Sequence, residues 1–150
     1  TVILLPMTYG CDDQYRHRVA REAAMTGRDY QLYKERMADD AVARLRLATD
    51  IMIHVQATDS FSASVQEHLY AGSIVINGDW LPYARLAGEG VSYLTVSSID
   101  DLRVALPRAV SLLSEYDPQR ASNRKKIREM SGWEQTIERW IDLYTTGNTA

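Results

Sequence analysis

The chain has 150 residues, 45% hydrophobic and 25% charged, with 17 basic side chains against 20 acidic ones and a formal net charge of −3. This is the composition of one soluble globular domain, large enough to bury a core without disulfides or a structural metal, and the lone Cys11 has no partner for an internal bridge. Although 14 of the basic residues are arginines, the excess of acid leaves no surplus with which to neutralise a nucleic-acid backbone.

No apolar run approaches the roughly 18 residues of a membrane span, and residues 1–10 lack the basic flank and the length of a secretory signal, so the expected location is cytoplasmic. The opening on TVILLPM without an initiator Met leads us to expect a piece of a longer protein.

Five short apolar runs read as strands in chain order: VILLPM at 2–7, YQLY at 30–33, IMIHV at 51–55, SIVIN at 73–77 and VSYLT at 91–95. Each is apolar on consecutive residues, as when both faces of a parallel sheet are covered, and the segments between them are long enough for crossover helices. Helical stripes occupy those segments: Tyr15, Val19 and Ala23, then Val42 and Leu45, then Phe61, Val65 and Leu69. Ser98, with Asp101 three residues on, predicts the N-terminus of a helix that buries Ile99, Leu102, Leu106, Val110 and Leu113, and Pro107 should kink or divide it. Arg120, Arg124, Lys125, Lys126 and Arg128 read as the solvated face of a further helix. Trp133, Ile137, Trp140, Ile141 and Tyr144 predict a closing helix that packs back onto the domain, with both tryptophans in the core. The fold class is therefore α/β: a single Rossmann-like domain over 1–150, a three-layer α/β/α sandwich on a parallel sheet of about five strands.

In such sheets ligands bind beyond the carboxyl ends of the strands, so function is sought in the loops that follow them. The richest is the third, DSFSASVQEHLYAG at 59–72. Opposite its core stripe lie Ser60, Ala63, Ser64, Glu67 and Ala71, small residues and one carboxylate where a surface helix is normally crowded with charge. The turn's backbone N–H groups and the hydroxyls of Ser60, Ser62 and Ser64 suit a phosphate, and Glu67 can accept hydrogen bonds from a vicinal diol such as a ribose. Asp59, at the strand's end, also fits a helix N-cap.

Other chemistries find little support. His17, His54 and His68 lack metal-ligand spacing, and there is no G-x-G-x-x-G, no G-x4-G-K-[ST] and no G-x-S-x-G. His54 reads as a satisfied core residue, His68 as a surface or packing residue, and GEG at 88–90 as a turn. Trp80 and Tyr83, in GDWLPY at 78–83, stand at the ligand-bearing edge, where an aromatic either contacts sugar or base or packs under a loop.

The separation of Asp59 and Glu67 resembles the Glu-x7-Glu motif in the C-terminal, nucleotide-sugar-binding domain of GT-B glycosyltransferases, with Asp in place of the first Glu. AGSIVI at 71–76 is similar to that family's helix–glycine–strand continuation, LRLATDIMI at 45–53 to the preceding helix and strand, and SGWEQTIERWIDLY at 131–144 to its closing helix. LLPMTYG at 4–10 resembles, more narrowly, the bacterial transferases of the TDP-4-acetamidofucose lipid-carrier type.

The resemblance implies a hexosyltransferase-like donor domain, a fragment of a two-domain enzyme of bacterial polysaccharide or cell-envelope synthesis. Asp59 and Glu67 would be its catalytic pair, with Glu67 on the donor's ribose and Asp59 approaching the sugar. The backbone through Ser60, Phe61, Ser62 and Ser64 would hold the diphosphate, Lys34 to Met37 would contact the base, and Tyr9 and Gly10 would line the crevice. No metal or cofactor is implied beyond the nucleotide-diphosphate sugar itself. The acceptor, a glycan or lipid-linked sugar, would be held by an N-terminal domain that this chain lacks, as it lacks the family's first strand and the Arg or Lys of the loop after it. Exposed sheet edges would favour pairing of two chains, and the basic run could touch the inner face of a membrane. The alternative reading is a non-catalytic flavodoxin-like or Rossmann-like binding or assembly module.

Overall fold

The structure, a computed structural model, describes residues 1–8 and 12–146. The chain divides into two compact units, Thr1–Ala43 and Arg44–Ala150. In the first, β1 (Val2–Pro6) and β2 (Asp29–Tyr33) pair in parallel, Val2 opposite Asp29 and Pro6 opposite Tyr33, with α1 (Asp13–Met25) between them in sequence. The Asp12 carboxylate caps α1 by accepting the Tyr15 N–H at 2.7 Å. Helix α2 (Asp39–Ala48) carries the chain from one unit into the other.

The second unit holds a parallel sheet in the order β3 (Ile51–His54), β4 (Ile74–Gly78), β5 (Leu94–Val96). All five strands of the sequence reading are present, and the α/β class with parallel pairing stands. β4 is buried along its whole length because alternate residues serve opposite faces. Val75 joins Val65, Leu69, Leu86, Val91 and Ile127 on one side. Ile74 and Ile76 join Val96, Ala109 and Tyr116 on the other.

Helix α3 (Ala63–Ala71) supplies Val65 and Leu69 to the first cluster and ends on Gly72, whose φ of 107° lets it cap the helix in the left-handed conformation. A short α4 (Ala84–Gly88) leads to β5, which begins at Leu94 rather than at Val91. The reason is that 91–93 pairs with side chains and a helix end. Val91 N–H closes α4 on Leu86 C=O, while Asn123 holds Ser92 through both its backbone N–H, at 2.8 Å, and its C=O, at 2.7 Å.

Helix α5 (Leu102–Leu112) begins at Leu102 rather than just after Ser98: the Asp101 carboxylate accepts the Ser98 N–H at 2.9 Å, but Ile99 lies ahead of the helix. Ile99, Leu106 and Val110 are exposed, only Leu102 and Leu113 of the expected stripe pack against the core, and Pro107 does not divide the helix. Two further expectations are corrected. The basic run on α6 (Asp117–Ser131) is only partly solvated: Arg124 donates to Tyr70 and Ala71 C=O at the end of α3, and Lys126 to Glu89 C=O beyond α4, positions where a cation meets the negative end of a helix. Helix α7 (Trp133–Thr146) buries none of its residues, so Trp133 and Trp140 are not core. Its contacts run to α6, and most of the apolar stripe faces outward. No helix among the described residues is long and apolar enough to cross a membrane.

Candidate functional site

The carboxyl ends of β3 and β4, the loop 55–62 and the start of α3 form one polar constellation. At its floor, His54 from β3 is 2% exposed, and its Nδ1 lies 2.9 Å from Asn77 Oδ1 on β4. Asn77 uses its NH2 on Gly78 C=O, so Oδ1 is the acceptor and Nδ1 of His54 carries the proton. The other ring nitrogen, Nε2, is buried 3.2 Å from Asp59 Oδ2 yet makes no hydrogen bond.

Asp59 is turned inward. Oδ1 accepts the Ser60 N–H at 2.8 Å, and Oδ2 accepts the Tyr83 hydroxyl and, at 3.4 Å, the Ser62 N–H. Burial works to raise the Asp59 carboxyl, but the Tyr83 hydroxyl, the two amides and His54 outweigh it and hold it below the usual carboxylate range. On the other partner, burial and then the bond to Asp59 push the Tyr83 phenol well above its ordinary value. Asp59 is thus an ionised anchor inside its own loop, while the N-cap position of α3 belongs to Ser62, whose hydroxyl accepts the Ser64 N–H at 3.1 Å.

Between them Phe61 takes a φ of 67°, a conformation that a bulky side chain adopts only when its surroundings enforce it. Its ring stacks on Tyr83 with centroids 5.4 Å apart, and His54 meets the same tyrosine edge-on at 5.4 Å. The Ser62 N–H donates to the Tyr83 hydroxyl at 2.7 Å. Trp80 closes the outer side: its Nε1 donates to Gln56 C=O at 2.8 Å, and its ring lies against Gly78, where an added Cβ would come within 2.5 Å of it.

Glu67 stands one turn into α3, its half-exposed carboxylate held by Arg46 Nε of α2 at 3.1 Å. It lines a cavity of about 660 Å³ together with Ala63, Tyr70, Arg128 and Trp133. Its neighbour His68 is buried, with Nδ1 2.8 Å from Ser64 C=O; burial, opposed by that bond, lowers its pKa from 6.5 to about 4. No group of three or more His, Cys, Asp or Glu that could hold a metal occurs among the described residues.

Of the residues singled out in the sequence, Asp59, Ser60, Phe61, Ser62, Ser64 and Glu67 fall on one loop and helix of the second unit. Lys34, exposed, and Met37, half-buried, lie after β2 in the first unit, and Tyr9 and Gly10 lie outside the described residues. The sequence reading missed the roles of Arg46 and Asn77 and left Tyr83 undecided; its place just after β4, at the same sheet end, was the available signal.

No family model matches the chain, and no curated protein does. Solved structures share its fold. Over 99% of this chain, apo OtsA is similar at a TM-score of 0.70 and 14% identity. A UDP-forming α,α-trehalose-phosphate synthase from Burkholderia xenovorans is similar at a TM-score of 0.68 and 15% identity, again over 99%. The chain spans 35% and 37% of the length of those two proteins.

Proposed function

We propose that this chain is the nucleotide-sugar-binding domain of a glycosyltransferase of the GT-B kind. The observation that supports this most is the coincidence, on a fold shared with a UDP-forming synthase, of a serine-rich turn entering α3 with a carboxylate one turn in that lines a cavity. In this reading Glu67 accepts hydrogen bonds from the ribose hydroxyls, exchanging part of its contact with Arg46 for them. The backbone from Ser60 to Ser64 takes the diphosphate against the positive end of α3. When the bond between the sugar and the diphosphate breaks, the developing negative charge meets fixed dipoles rather than a metal ion.

Asp59 holds the turn instead of touching the sugar, since both its oxygens are engaged. Transfer to a glycan or lipid-linked acceptor in polysaccharide or cell-envelope synthesis is proposed on the family resemblance.

The test is calorimetric titration of the chain with UDP, GDP and dTDP, alongside Glu67→Ala. Loss of a charge-assisted hydrogen bond of roughly 1.5–3 kcal/mol predicts about tenfold or greater weakening for the base that binds, and the loss should persist with the bare nucleoside, which keeps the ribose. Binding by neither the diphosphates nor the nucleosides would refute the proposal.

A further inference from the structure

Resting on the donor-binding reading, we infer that Tyr83 is the positioning residue of the diphosphate-holding turn, acting through Asp59 and Ser62 without touching the ligand. Tyr83 is 1% exposed, so its side chain is not a ligand contact. Its single hydroxyl performs two jobs, accepting the Ser62 N–H and donating to Asp59 Oδ2, and Asp59 in turn holds the Ser60 N–H. Its ring performs a third by stacking on Phe61, the one non-glycine residue at positive φ among those described.

This division of donors matters for an anion. The amides of Ser60, Ser62 and Ser64 are taken by Asp59, Tyr83 and Ser62 Oγ respectively. Those of Phe61 and Ala63 have no protein partner among the described residues. They are therefore the donors available to phosphate oxygens, and the left-handed Phe61 sets the direction of the first. His54 and Asn77 form the base of the arrangement by fixing where the Asp59 carboxylate sits. Without the hydroxyl, Ser62 N–H and Asp59 Oδ2 each lose a buried partner, and the turn can relax to a negative φ at Phe61.

The experiment compares the full chain with Tyr83→Phe, which keeps the stacking ring and removes only the hydroxyl. Affinity is measured for the preferred nucleoside diphosphate and for its nucleoside, and the Phe61 HN–Hα coupling and Ser62 amide exchange are read by NMR. The expected result is about a tenfold loss for the diphosphate, an unchanged affinity for the nucleoside, a shifted Phe61 coupling and faster Ser62 exchange. A general loosening of the fold would weaken both ligands alike, and that outcome overturns the inference. So does diphosphate binding equal to the parent's, which leaves the donor-binding reading intact if Glu67→Ala still weakens it. A parent chain that binds neither ligand ends both. Should Tyr83→Phe fail to fold, Asp59→Asn is read in its place and must show the same selective loss.

Discussion

His68 makes stability depend on acid in a way that a single substitution isolates. The ring is 5% exposed and donates Nδ1–H to Ser64 C=O, and its pKa falls to about 4 from 6.5 because burial disfavours the charged form. The unfolded chain therefore takes up a proton near pH 6.5 that the folded chain refuses until near pH 4. The stabilising contribution is present in full above the unfolded pKa and is lost as pH falls through that window. A gap of about 2.5 units is worth about 3 kcal/mol overall, of which about 2 kcal/mol lies between pH 7 and pH 5. Urea unfolding at pH 7, 6 and 5 should show the parent losing about 2 kcal/mol more across this range than His68→Gln, which cannot take up the proton. NMR should find the His68 ring still neutral at pH 5. Parallel stability–pH curves for parent and variant, or an imidazole that titrates near 6.5 in the folded chain, would refute the argument.

Two helices predict opposite responses to truncation. Leu69→Ala, at a fully buried site on α3, should cost about 3 kcal/mol in denaturant unfolding, whereas Trp133→Ala on α7, where the ring is 67% exposed, should cost less than about 1 kcal/mol. Asn123→Ala removes both hydrogen bonds that hold Ser92 and should cost about 2–3 kcal/mol, with faster amide exchange at Ser92 as its local mark.

The strands were legible in the sequence as short runs of consecutive apolar residues, but only β4 is buried on both faces as that pattern implies; Val2, Tyr30 and Ile53 on β1, β2 and β3 are exposed. The start of β5 was not legible, since the ladder there yields to Asn123, a residue about 30 positions away whose amide happens to match a backbone N–H and C=O. The apolar stripe of α7 was read correctly as a stripe and wrongly as buried: periodicity reports a sticky face, not what covers it. The basic run misled in the opposite sense, because sequence does not reveal that two of its cations reach the ends of other helices. At the candidate site, the spacing of Asp59 and Glu67 singled out one loop and helix, residues 59–71. It could not show that Asp59 faces inward, which depends on Tyr83 arriving from the loop after the next strand.

The contact between Gly78 and Trp80 ties two positions into one unit of inheritance. A side chain larger than hydrogen at 78 would collide with the indole, and the indole is anchored to the loop ahead of α3 through Gln56. Relatives that carry alanine or serine at 78 should therefore carry a smaller residue at 80, and a chain changed at both should be more stable than the single changes predict when summed. Alignment columns 78 and 80 should then vary together or not at all, and the indole's fluorescence gives a built-in readout of whether the loop it fastens has moved.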